Sequence, residues 1–140
     1  MQFELTDTPA PADLDALSRS LAAFNDADAG LSQRRPLAIF LRGDGGALLA
    51  GLSGYTAWGW LYVQWLWVDE SRRGEGVAGR MLAAAETEAR ARGCTGAWID
   101  TFSPVALAVY RRAGYEVFGE LPRFPEGRTR SFLSKQLVAP

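Results

Sequence analysis

Trp60-Leu61-Tyr62-Val63-Gln64-Trp65-Leu66-Trp67-Val68 leads straight into Asp69-Glu70-Ser71-Arg72-Arg73-Gly74-Glu75-Gly76-Val77-Ala78-Gly79-Arg80-Met81-Leu82, and the hydrophobic period changes at the junction. The first nine residues are dense in aromatic and β-branched types, which predicts a central strand buried on both faces. From Val77 the apolar residues take helical spacing, with Val77, Met81, Leu82, Ala85 and Ala89 on one face and Gly93 as a left-handed cap. A strand, a glycine-rich turn and a helix in succession leave the first helical amides without intrahelical acceptors. Glycines let the backbone close on a ligand, and free amides at the positive end of a helix hold anions, so a diphosphate is the natural guest. Read alone, a Gly-x-Gly of this kind is more often a plain tight turn.

Upstream, Phe3 to Thr6 reads as a short strand, and Leu14, Leu17, Leu21 and Phe24 recur at the spacing of an amphipathic helix packed on something apolar. Leu37-Ala38-Ile39-Phe40-Leu41 and a return strand from Ala47 to about Thr56 flank Gly43-Asp44-Gly45-Gly46, a hairpin signal. Downstream, Ala97 to Thr101 gives a strand. Ser103 then caps a short helix with Pro104 at its first position, and Gly114 closes it. Tyr115 to Leu121 and Ser131 to Leu137 are the last strands, joined by the Pro122 to Gly127 loop. The predicted order is β-α-β-β-β-α-β-α-β-β, in one domain spanning 1–140.

Composition narrows the chemistry. A chain of 140 residues, 48% apolar, can bury one core. Its net charge of -1 provides no global field for nucleic acid or an anionic membrane, so any phosphate site is local. No basic region precedes an apolar run at the N-terminus and no segment nears the roughly 20 apolar residues of a membrane span, so a cytoplasmic protein is expected. Cys94 stands alone, which excludes a disulfide framework or thiolate metal site within one chain and fits a small buried residue. No histidine occurs. Ser-His-Asp and Cys-His nucleophile systems, histidine-ligated zinc and imidazole bases are therefore excluded, and no metal is expected.

Gly79 is followed by Arg80-Met81 and not by the Lys-Ser/Thr of a P-loop, and the dinucleotide fingerprint lacks its early position and acidic ribose ligand. Leu66-Trp67-Val68 through Arg73-Gly74-Glu75-Gly76-Val77-Ala78 resembles instead the acetyl-CoA signature of the GNAT superfamily, Gln/Arg-x-x-Gly-x-Gly/Ala. Ser103-Pro104-Val105-Ala106 followed by Tyr110-Arg111-Arg112-Ala113-Gly114-Tyr115 resembles its second signature, usually Asn-x-x-Ala, then Tyr and Gly-Phe/Tyr. The resemblance runs from about Leu37 to Leu137. It implies an α/β fold with a mixed, mostly antiparallel sheet of about six or seven strands flanked by three or four helices.

It also implies acetyl transfer from acetyl-CoA to a primary amine by direct attack in a ternary complex. Backbone amides of Arg73, Gly74, Glu75, Gly76, Val77, Ala78 and Gly79 would grip the pyrophosphate, Leu66, Trp67 and Val68 would pair with the pantetheine arm, and the Val68 amide would face the thioester carbonyl. Ser103 and Ala106 complete the implied cofactor residues, with Ser103 replacing the usual Asn and equally explained as a helix cap. Tyr110 matches the usual general acid, because a phenol near pKa 10 can protonate a thiolate near 8.5. Its alternative is packing beside Ala106 and Val109.

The general base stays open among Asp69, Glu70, Asp100, Glu116 and water held by Gln64. In the cluster Tyr55, Trp58, Trp60, Tyr62, Trp65 and Trp67 alternate members of a strand face opposite sides, so about half are assigned to the core, which is the first reading, and those on the other face could line an acceptor pocket. The tail Phe124 to Phe132 could shape the acceptor site, and Arg34-Arg35 or Arg111-Arg112 could meet the 3′-phosphate of the cofactor or lie in solvent. A catalytically silent acyl-CoA-binding module and a partner-binding module are the alternatives, and a homodimer is the default assembly.

Overall fold

The computed structural model describes residues 1–139, and the chain divides into two compact units, Met1–Ser32 and Gln33–Pro140. The first contains helix α1 (Pro11–Ala29), with proline in its first turn and Gly30 closing its end through an N–H donated to the Asp26 carbonyl. Two sequence expectations fail in this unit. Phe3 to Thr6 forms no strand, since a tetrapeptide gains nothing from extension without a ladder to pair with. Leu14, Leu17, Leu21 and Phe24 share a stripe but all four are exposed. Periodicity fixes which side chains share a face, not whether another layer covers it.

The second unit runs β1 (Arg35–Arg42), β2 (Leu48–Ala57), β3 (Trp60–Val68), α2 (Val77–Ala91), β4 (Gly96–Thr101), α3 (Pro104–Arg112), β5 (Glu116–Pro122) and β6 (Thr129–Gln136). Among the described residues one mixed six-stranded sheet results, in the order β1-β2-β3-β4-β6-β5, with the β3–β4 pair parallel and the other pairs antiparallel. The α/β class and the mostly antiparallel sheet match the sequence expectation. Helix α2 lies across β1, β2 and β3, and α3 lies against β4. Leu52, Leu61, Val63, Leu82, Ile99 and Leu133 form the centre of the core beneath them. Among the described residues, no helix is long and apolar enough to cross a membrane.

Strand β3 departs from the expected two-sided burial. Leu61 and Val63 are fully buried, whereas Trp60, Trp65 and Trp67 are exposed, Trp65 at 68%. Trp58 is also exposed, and Tyr55 and Tyr62 are half-buried, so the aromatic cluster is not core. Helices α2 and α3 pack on the face that carries Leu61 and Val63, and aromatic density alone does not report which face a strand turns to them.

A bulge resets the phase of β3. Ser53 pairs with Trp65 but the next residue, Gly54, pairs with Val63, leaving Gln64 as the extra residue. Leu66 and Val68 therefore rejoin Leu61 and Val63 on the core face. Gly54 permits this crossing, because a Cβ there would sit 1.8 Å from the Tyr62 carbonyl oxygen and 3.2 Å from the Gln64 nitrogen. A side chain must push backbone apart, so Gly54→Ala is expected to cost about 2 kcal/mol or more. Urea unfolding of the two proteins measures it, and a loss well below about 1 kcal/mol would show that the bulge does not depend on that close approach.

Candidate active site

The parallel ladder between β3 and β4 is short. It runs from Trp60 opposite Gly96 to Val63 opposite Ile99 and then stops, while β3 continues five residues further to Val68. The Asp69 N–H donates to the Leu49 carbonyl on the β2 side at 2.7 Å. Backbone groups alternate along a strand, so those of Val68 and Leu66 point the other way, towards the gap. The Val68 carbonyl accepts there from the Arg73 Nε at 3.3 Å.

At the mouth of this gap β3 turns through residues 69–76 into α2. Gly74 and Gly76 take φ of 81° and 75°, and the space where each Cβ would stand is open. No side chain caps the helix at Gly76, and its first intrahelical bond is the Arg80 N–H to the Gly76 carbonyl. The amides before Arg80 are thus presented outward at the positive end of a 15-residue helix. Asp69 does not compete for them: its carboxylate caps the Ser71 N–H and hydroxyl, and these bonds hold it below the usual carboxylate range.

Gap and turn form one cleft of about 1180 Å³. Of the sequence-assigned residues, Leu66, Trp67, Val68, Arg73, Gly74, Gly76, Val77, Ala78, Gly79, Ser103, Ala106 and Tyr110 line it. Glu75 does not, and pairs with Arg72 at 3.8 Å. Ser103 uses its hydroxyl to cap α3, accepting from the Ala106 N–H at 3.2 Å. Among the proposed bases, Gln64 and Asp100 line the cleft and Asp69, Glu70 and Glu116 do not. Arg112 lines it too, whereas Arg34 lies 3.6 Å over the Tyr55 ring. Cys94 is buried, as expected, and burial raises its thiol pKa.

Tyr110 is 4% exposed, and its pKa is pushed up to about 12 by burial first and then by the Asp100 charge. Its phenol is therefore protonated at every physiological pH.

Tyr115, which ends the second signature, and two groups that the sequence reading missed, Glu86 and Lys135, hold the walls of the cleft. Glu86 sits on the buried face of α2, 3% exposed. The Tyr115 hydroxyl donates to its Oε2 at 2.9 Å and Lys135 to its Oε1 at 2.7 Å. The same ammonium donates to the Ala113 carbonyl at 2.8 Å, where α3 ends. A buried carboxylate needs such partners, and here they tie α2, α3 and β6 to one another. A carboxylate in an otherwise apolar helix stripe and a single lysine in the last strand were the available signals.

Arg130 belongs to the tail from Phe124 to Phe132 that was expected near the acceptor site, and it lines the cleft. Its guanidinium donates to Asp100 at 2.7 Å and lies over the rings of Phe102 and Phe124, at 5.0 and 4.2 Å. Its Nε is buried with no acceptor among the described residues, which costs about 1–3 kcal/mol.

Comparisons with known proteins place the chain in a family. The model of the acetyltransferase (GNAT) family matches residues 3–115. The chain is similar to the acetyltransferase Atu2258 of Agrobacterium fabrum, 44% identical over 136 residues, 97% of this chain and 99% of that one. It is also similar to the blasticidin-S acetyltransferase of Streptomyces morookaense, 38% identical over 109 residues, 75% of this chain and 80% of that one. A crystal structure of a proposed acetyltransferase from Agrobacterium tumefaciens superposes with a TM-score of 0.93 at 44% identity, covering 97% and 99% of the two chains.

Burial and the Glu86 charge hold the Tyr115 phenol well above its ordinary pKa of 10. The unfolded chain releases that proton near 10, so the stability due to the Tyr115 bond is complete below pH 10 and declines above it. Tyr115→Phe should cost about 2 kcal/mol at pH 7, with the gap between the two proteins narrowing at pH 10.5. Urea unfolding at both pH values checks this, and a gap that widens with pH would contradict it.

Proposed function

Because the chain belongs to the acetyltransferase (GNAT) family, we propose that it moves the acetyl group of acetyl-CoA onto a primary amine by direct attack within a ternary complex. The observation that carries this reading is the parting of β3 from β4 beyond Val63 and Ile99, beside a helix start that no side chain caps. An open strand edge suits an amide-bearing arm such as pantetheine, and free helical amides suit a pyrophosphate. The open space above Gly74 and Gly76 fits that group, since nothing stands where a Cβ would be.

Acetyl-CoA supplies the acyl group as an activated thioester. Amides of Gly74, Gly76, Val77, Ala78 and Gly79, with Arg73, hold its phosphates. Leu66 and Val68 offer backbone groups to the arm, and the Val68 N–H stabilises negative charge on the carbonyl oxygen, a role worth about 3–4 kcal/mol in acyl-transfer sites. Tyr110, neutral and buried, donates its proton to the departing sulfur. With Asp69, Glu70 and Glu116 outside the cleft, Asp100 and water at Gln64 are the groups left to receive the proton of the amine.

A thermal melt with acetyl-CoA at 100 times its dissociation constant should show about 2.7 kcal/mol of added stability, abolished by Gly76→Val. No shift at millimolar acetyl-CoA would overturn the reading. Tyr110→Phe should keep that shift and lower the rate of CoA release by about 100-fold. Stabilisation without CoA release against any amine would identify a catalytically silent acyl-CoA-binding module. Antibiotic amines belong in the acceptor screen, given the blasticidin-S enzyme among the relatives.

A further inference from the structure

Asp100 and Arg130 stand in the same cleft as Tyr110, and their side chains are only 15% and 22% exposed. Two features separate this pair from an ordinary surface ion pair. Arg130 is desolvated over two phenyl faces, so it cannot swing freely into solvent. It also gives Asp100 a single Nη1–H, while the buried Nε on the other edge of the fork has no acceptor. Paired N–H groups along one guanidinium edge match a carboxylate.

The charges lining the cleft point the same way. Its carboxylates are Asp100 and Glu86, and Glu86 is held by Lys135 and Tyr115. Its cations are Arg72, Arg73, Arg112, Arg130 and Lys135. Asp100 is neutralised by Arg130, so a polycation finds no net attraction here. A molecule carrying both signs can meet both partners.

Resting on the acetyl-transfer reading above, we propose that the acceptor is a zwitterionic amine of the amino-acid type, whose ammonium is held by Asp100 and whose carboxylate is held by Arg130. The aromatic walls formed by Trp65 and Phe102 receive an apolar side chain. Binding tilts the guanidinium so that Nε gains the acceptor it lacks, and Asp100 keeps a cationic partner throughout. In the transfer the amine nitrogen forms the new C–N bond as the C–S bond breaks. Of the two protons that the ammonium gives up, one restores the proton that Tyr110 passes to the sulfur of CoA and the other goes to solvent.

Matched amines test the assignment by CoA release: L-phenylalanine, 2-phenylethylamine, which lacks only the carboxylate, and spermidine. L-Phenylalanine should exceed both others in kcat/KM by about 10-fold or more, equivalent to the loss of one charged contact. Arg130→Met should bring the ratio of L-phenylalanine to 2-phenylethylamine near one. Arg130→Lys, which keeps the charge and most of the stem, should retain part of the preference, and the acetyl-CoA melting shift in each variant reports that the cleft is folded. Equal or better use of 2-phenylethylamine or spermidine, or a preference that survives Arg130→Met, would overturn the assignment. If no amine releases CoA, acetyl transfer fails on its own. The acceptor site is then judged by melting the CoA complex with each amine at millimolar concentration, where stabilisation by L-phenylalanine alone upholds it and stabilisation by none or by all overturns it.

Discussion

Hydrogen bonding between β3 and β4 ends at Val63 and Ile99, and the site is organised around that break. Backbone N–H and C=O groups are obligatory partners in a sheet, so an interior strand that leaves its neighbour must find others. The bulge at Gln64, made possible by the bare Cα of Gly54, keeps Leu66 and Val68 on the core face as β3 diverges. The divergence thus costs no core packing. It opens an edge inside the molecule, beside the turn that exposes the α2 amides.

Such a break needs walls that do not close. The Glu86 carboxylate on α2 binds Lys135 of β6 and Tyr115 at the head of β5, and Lys135 also takes the last carbonyl region of α3 at Ala113. Electrostatics inside a low-dielectric core are strong when every partner is present and costly when one is missing. One ion pair therefore sets the separation between the helix that begins at the glycine turn and the helix that carries Tyr110. In the same cleft a second pair, Asp100 and Arg130, lies against aromatic rings.

What the sequence made legible was local. The change of period between Trp67 and Val77, the glycines at 74 and 76, and Ser103-Pro104 each act within a few residues, and each located its element within a residue or two. What it hid was relational. Gln64 bulges because Gly54, across a hairpin, yields space to Tyr62. Glu86 and Lys135 lie 49 residues apart, and Asp100 and Arg130 lie 30 apart. The tryptophans misled because aromatic content describes a strand's affinity for packing, not the layer available to it. The leucines of α1 misled for the same reason.

Amide hydrogen exchange with and without acetyl-CoA reads the strand break and the helix start directly. Acetyl-CoA should slow exchange at Leu66 and Val68 and at residues 74–79, while leaving the β1–β2 ladder unchanged. Protection confined to other parts of the chain, with these amides exchanging as before, would contradict the assignment of the parted strands as the acyl-CoA cleft.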